Sequence, residues 1–182
     1  LLDRMGRYYT RRHIEDVFGA IRNDYPDVVI RSEVIVGFPG ETDDDFEALK
    51  EFVSGIGFAS LGVFPYSPES GTRAANLSGA VPEALRLERA EELNAVQQSA
   101  SFGLLSGLKG AELRVLVDRQ LDQDGPPAPY PACRFAGRYY GQALEIDGEV
   151  YIKGRGADVG KFVTARVTET DAFDMEAEVL NT

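Results

Sequence analysis

The 182-residue chain contains one cysteine, one histidine, two methionines and no tryptophan. A single thiol, Cys133, excludes an internal disulfide, and with His13 it makes no metal-ligating set. No apolar run reaches the roughly 18 residues that cross a bilayer, and no charged–apolar–small signal pattern opens the sequence. Basic residues are scarce as well: 19 Lys and Arg face 30 Asp and Glu, a formal net charge of −11. A broad phosphate-gripping surface needs the opposite sign. The balance suits a basic partner, or serves solubility alone. A soluble cytoplasmic protein, long enough for one or two cores, is the expectation.

What is present is organised around Ile30-Arg31-Ser32-Glu33-Val34-Ile35-Val36-Gly37-Phe38-Pro39-Gly40-Glu41-Thr42. The β-branched run predicts a strand buried on both faces, as in a parallel sheet. Pro39-Gly40 stops it with a tight turn. Thr42, with Asp45 three residues on, predicts a capped helix start. The stretch therefore reads as half of a βα unit, and ligands in α/β folds bind where strand carboxyl ends feed such turns.

Around it the order is helix, strand, helix, strand. Thr10 caps a helix expected over about 11–24, with Ile14, Val17, Phe18 and Ile21 at helical spacing. The first strand runs over 28–36. A second helix, about 42–56, carries Phe46, Leu49, Phe52 and Val53 on one stripe, and its aspartates sit where the helix dipole favours them. A strand over 59–64 leads into a turn-rich loop. The opening half-unit, without an initiator, reads as the continuation of earlier strands and so as a fragment. A long helix then starts near Pro82, with Leu85, Leu93, Val96, Ala100 and Leu104 expected on its buried face.

Beyond Gly103, Gly107 and Gly110 the texture changes. Short strands are expected over 112–118, 134–138, 149–153, 162–168 and 175–180, and 123–131 reads as a coreless Pro/Gly loop. Five short strands in about 75 residues predict a small OB-like barrel. The expected domains are 1–106 and 107–182. From 108 to 182 there are nine Lys/Arg and thirteen Asp/Glu, so the barrel is itself acidic. A local basic patch from Arg134, Arg138, Lys153 and Arg155 remains open.

Two series of residues carry a resemblance. Ile35-x-Gly37-Phe38-Pro39-Gly40-Glu41-Thr42 followed by Phe64-x-Tyr66-Ser67-Pro68-x-x-Gly71-Thr72, with Met5-Gly6-Arg7-x-Tyr9-Thr10 ahead, resembles the last strands of the radical S-adenosylmethionine (SAM) barrel in the methylthiotransferase family. Gly160-Lys161-Phe162-Val163-x-Ala165-x-Val167-Thr168 is similar to that family's TRAM domain. Gly141-Gln142-Ala143-Leu144-Glu145-Ile146-Asp147-Gly148 is similar to the branch that modifies ribosomal protein S-twelve, against the tRNA-modifying branch. The implied fold is the closing part of a TIM-like α/β barrel followed by an all-β TRAM barrel.

The resemblance implies SAM as cofactor and [4Fe–4S] clusters on cysteine loops, whose thiolates serve as soft iron ligands. With one cysteine the chain itself offers no cluster site, so no catalytic or metal residue is expected within it. It implies further that Arg7 meets the SAM carboxylate, that Glu33 accepts from the ribose hydroxyls, and that Ile35 and the backbone at Gly37 pack on adenine. Phe64, Tyr66 and Ser67 would line the other side. Glu33 stands where the family pattern has its first glycine, and the closing glutamate comes one residue late.

The complete enzyme would cleave SAM to a 5′-deoxyadenosyl radical and install a methylthio group on the β-carbon of an aspartate in ribosomal protein S-twelve, drawing on an electron donor. This part would wall the SAM site and dock the protein. The same chemistry on tRNA adenosine, or a purely binding fragment, are the rivals. Plainer readings also stand: Arg7 as a surface arginine, Glu33 in an ion pair because a buried carboxylate needs a partner, Ile35 as core in either case, and Phe64 and Tyr66 as packing. Gly37 to Gly40 can be simply a strand terminator. Asp43, Asp44 and Asp45 read as a solvated helix start, and Tyr139 and Tyr140 as barrel residues and not an RNA-stacking platform.

Overall fold

The computed structural model describes residues 1–122 and 129–180, and its contacts divide the chain into Leu1–Ala100 and Ser101–Thr182. In the first unit, α1 (Arg11–Asp24) begins where the Thr10 hydroxyl accepts the His13 N–H at 3.2 Å. Strands β1 (Arg31–Val36) and β2 (Ser60–Pro65) pair in parallel, with Glu33 opposite Gly62 and Ile35 opposite Phe64. Helix α2 (Asp43–Ile56) joins them, and it stops at Gly57, whose φ of +65° is a left-handed cap. At its start the Thr42 hydroxyl accepts the Asp45 N–H while the Asp45 carboxylate accepts the Thr42 N–H, closing a capping box. A long helix, α3 (Glu83–Ser106), follows a short 3₁₀ turn at Ala74–Asn76.

Val36, Phe46, Val53, Phe58, Leu61 and Leu93 form this unit's core. Two expectations need correction. β1 is not buried on both faces: Val36 is sealed and Val34 half-buried, while Arg31, Glu33 and Ile35 point outward. The reason is that the described sheet has only two strands, and the helical core covers one side of it. On α3, Leu104 is exposed and Leu85, Val96 and Ala100 are only half-buried. The sealed stripe is Arg89, Ala90, Leu93 and Gln97, which shares Leu93 with the expected face, and the Gln97 amide donates to the Phe58 carbonyl at 2.8 Å.

The second unit is a closed barrel in the order β3–β4–β5–β7–β6. Its strands are β3 (Glu112–Gln120), β4 (Phe135–Tyr139), β5 (Val150–Lys153), β6 (Phe162–Thr170) and β7 (Met175–Val179). All pairings are antiparallel except β5 with β7. Alternation fills the inside with Val115, Val117, Val150, Ile152, Ala165, Val167, Met175 and Ala177, all essentially sealed. Register breaks between Val117 and Arg119 and between Val167 and Glu169 bend β3 and β6, which is how short strands close into a small barrel. Tyr139 is core and Tyr140 is exposed. Of the loop expected over 123–131, residues 123–128 lie outside the described residues.

Candidate functional site

The carboxyl end of β1 turns through Gly37-Phe38-Pro39-Gly40, and the turn is built around a carboxylate. Glu41 is 8% exposed, and its Oε1 accepts the Gly37 N–H at 2.8 Å and the Arg89 Nη1 at 2.6 Å. Arg89 also pairs with Asp43 and lies 5.3 Å over the Phe46 ring. Both members of the Glu41–Arg89 pair are buried. Such a pair survives only when its charges are mutually satisfied, so it fixes the turn to α3. Gly37 has φ +72°, and a Cβ there would fall 2.2 Å from Arg86 Cγ. Gly40 donates to the Gly79 carbonyl at 2.7 Å, and the Arg4 guanidinium covers it while donating to the Ser78 carbonyl.

From β2 the chain continues into Tyr66, whose N–H donates to the Val36 carbonyl at 2.8 Å. Its ring meets Phe38 edge-on at 5.2 Å, and its carbonyl accepts from Arg86. Tyr66, Pro39, Pro68, Leu77 and Arg86 line a cavity of about 90 Å³. The Tyr66 hydroxyl and Arg86 Nε are both buried without a partner.

The other face of the pair is open. Ile35 is 46% and Phe64 51% exposed, and they are register partners. Glu33 is exposed beside them. A Cβ on Gly62, between the two, would meet Phe64 at 2.9 Å and Glu33 Cγ at 3.3 Å. The absent side chain at Gly62 is what lets the Phe64 ring lie across the strand toward the carboxylate.

Of the seven residues singled out in the sequence, Glu33, Ile35 and Phe64 therefore share one face. Gly37 and Tyr66 come together at the turn, each against Arg86. Ser67 and Arg7 are exposed, the latter on a segment closed by its own N–H donating to the Leu2 carbonyl at 2.8 Å. Two environments differ from expectation. The buried carboxylate is Glu41, not Glu33, because Glu33 sits on the outward side of the pleat. Ile35 is not core, for the same reason. Sequence reasoning also missed Arg86 and Arg89, whose three-residue spacing on α3 puts both on the face that meets the turn.

The residues present can be weighed against the two groups. An exposed apolar pair flanking a carboxylate fits an adenosyl group, with a flat surface for the base and an acceptor for ribose hydroxyls. The approach at Gly37 is filled by Arg86. An iron–sulfur cluster does not fit: the one thiol, Cys133, is 3% exposed and packed with Leu121, Ala136 and Tyr151, and no group of three or more His, Cys, Asp or Glu suited to a metal exists among the described residues.

Comparison with known proteins places these features. Residues 110–180 match the TRAM domain family. The chain is 36% identical over 181 residues to the ribosomal protein uS12 methylthiotransferase RimO of Desulfitobacterium hafniense, covering 99% of this chain and 39% of that protein. It is 37% identical over 180 residues to the RimO of Thermotoga maritima, covering 99% and 39%. With the RimO of Myxococcus xanthus the identity is 40% over 180 residues, covering 99% and 36%. The chain thus spans about two fifths of the length of the curated relatives it matches.

Proposed function

We propose, starting from a chain that is RimO-like in sequence along its length and carries a TRAM domain, that it forms the part of a methylthiotransferase that walls the SAM site and docks the protein substrate. The observation that carries this reading is the open face of the parallel β1–β2 pair, where Ile35 and Phe64 stand one residue from the strands' carboxyl ends and Glu33 lies two residues back on the same side. Parallel strands of α/β enzymes present their ligand residues at that end. In this reading β1 and β2 are the closing strands of a TIM-like radical-SAM barrel. The whole protein adds a methylthio group to the β-carbon of an aspartate in ribosomal protein uS12.

Each residue has a task on this view. Phe64 and Ile35 exclude water from one side of the adenine. The Glu33 carboxylate accepts two ribose O–H donors and so fixes the nucleoside's rotation. Arg7 pairs with the SAM carboxylate, and Ser67 offers a hydroxyl at the end of β2. Gly37 and Tyr66 act by shape: the left-handed turn and the Phe38–Tyr66 contact set where the two strands stop. SAM, together with iron–sulfur clusters held by residues outside this chain and reduced by an electron donor, supplies the radical chemistry.

Titration calorimetry with SAM tests the site. The parent chain is expected to bind, and Glu33→Gln to weaken binding about tenfold, since one charge-assisted pair is worth roughly 1.5–3 kcal/mol. Equal affinity in the two proteins, or no heat from the parent, overturns the assignment.

A further inference from the structure

Two arginines stand three residues apart on α3, and only one of them is neutralised. Arg89 is held by Glu41 and Asp43. Arg86 lies a turn earlier, half-buried, and among the described residues no carboxylate reaches it. Its Nη1 donates to the Tyr66 carbonyl, and its stem packs where Gly37 has no side chain. The guanidinium is therefore steered from both ends. Its Nε is buried without a hydrogen-bond partner, and so is the Tyr66 hydroxyl. A guanidinium withdrawn from water without a counter-charge is costly, and each buried donor left unmade adds to that cost.

Both residues belong to the walls of the cavity of about 90 Å³ at the turn. The rest of its lining is apolar: Pro39, Pro68, Leu77, Val81 and three alanines. Pro39 is buried and Pro68 exposed, so the cavity opens outward. It sits just past the strands' carboxyl ends, since Pro39 follows β1 by three residues and Tyr66 follows β2 by one. That is the end at which parallel strands present ligands. Water alone is a poor match for such walls, because an ordered water needs roughly two to four polar partners. Apolar walls with a few convergent polar groups are the composition of a small-ligand site.

The group that completes this arrangement is an anion on a short apolar stem. Arg86 is the one charged residue of the lining, and a guanidinium pairs best with a planar carboxylate. Carboxylate oxygens can take the Nε–H and the Tyr66 O–H together. A methylene beside them would lie against Leu77 and Val81. A phosphate would bring close to two charges to a site with a single cation. A neutral amide of the same shape would leave the guanidinium uncompensated, so the cavity separates aspartate from asparagine by charge.

We propose that the Arg86–Tyr66 cavity is a receptor for a carboxylate on a one-carbon stem, with Arg86 Nε and the Tyr66 hydroxyl as its donors. The identity of the occupant rests on the reading under Proposed function: it is the aspartyl side chain of the protein substrate. Its carboxylate is then anchored one bond from the β-carbon that reacts, which fixes how that carbon presents its hydrogens. Arg86 is a binding and specificity residue on this view, and Arg7 keeps the carboxylate of the cofactor.

The test follows the Arg86 Nε–H resonance of the ¹⁵N-labelled chain by NMR. The probes are N-acetyl-aspartic acid α-amide, whose only carboxylate is the side chain, and its asparagine isostere. The aspartate probe is expected to shift the resonance saturably, with the millimolar Kd of so small a ligand. The asparagine probe is expected to bind at least about tenfold more weakly. Tyr66→Phe keeps the ring against Phe38 and is expected to weaken the aspartate probe about tenfold. Arg86→Gln, once its melting temperature shows it folded, is expected to lose the saturable response at the Leu77 N–H. No shift with the aspartate probe, equal response to the two probes, or equal affinity in Tyr66→Phe overturns the proposal. SAM distinguishes the two sources of a carboxylate: alone it is expected to leave the Arg86 resonance in place. SAM moving that resonance, or displacing the aspartate probe from it, assigns the cavity to the cofactor and overturns the proposal. Calorimetry with SAM keeps the readings apart. SAM binding without a response to the aspartate probe removes only this cavity, and the reverse removes only the cofactor wall.

Discussion

At the scale of single residues, the Glu41–Arg89 pair governs the turn after β1. Its charges sit 3% and 4% exposed in the side chain, so neither can fall back on water if the other is removed. Arg89→Met and Glu41→Gln are each expected to cost about 3–5 kcal/mol in urea unfolding, and Glu41→Leu combined with Arg89→Met to recover much of that. Gly37→Ala brings a Cβ within 2.2 Å of Arg86 Cγ at a left-handed φ. A loss of about 1–3 kcal/mol is expected there. Cys133 behaves oppositely to a reactive thiol. Burial, with the Glu176 carboxylate beside it, pushes its thiol up to about 11. A chromogenic disulfide reagent at pH 8 is therefore expected to label it slowly in the folded chain and fully in urea.

At the scale of elements, the start of α2 gives a pH-dependent prediction. The Asp45 carboxyl is held below its usual 3.8 by the Thr42 backbone N–H, then by the Thr42 hydroxyl. A lowered folded value means that the ionised form is favoured by folding. The stabilisation is present above the ordinary carboxylate range and fades as pH falls through the folded value. Comparing the melting temperatures of Asp45→Asn and the parent checks it: the parent leads at pH 7, and the gap closes as the solution is acidified to about pH 2.

Elements are also where the sequence was most readable. The caps at Thr10 and Thr42 and the alternation of Leu113, Val115 and Val117 are local signals, and each element appears within a few residues of its expected place. Glu41 was opaque because its partner lies 48 residues away, and no local spacing connects them. Glu33 and Ile35 misled for a related reason. A β-branched run gives the strand but not the number of layers around it, and here only one face is covered. The cluster of Glu33 with Phe64 depended on the β1–β2 register and on the missing side chain at Gly62, neither of which is a property of one strand.

At the scale of the whole molecule, the α/β unit has its core around Phe58 and Leu93, and the barrel has its main core around Ile152 and Met175 beside a smaller cluster of Leu121, Cys133, Ala136 and Tyr151, with no residue shared. Leu93→Ala and Ile152→Ala are each expected to cost about 2–5 kcal/mol. Hydrogen exchange read by residue distinguishes their reach: Ile152→Ala accelerates exchange at Val115 and Val163 and leaves Val36 and Val53 protected, and Leu93→Ala does the reverse.

The closure of the barrel has one more consequence. Every one of its strands is already paired on both sides, so no peptide can be captured there by extending the sheet. Whatever this unit recognises must be read through side chains and loop tips. Selectivity is then open to change by point substitution without disturbing a single backbone ladder.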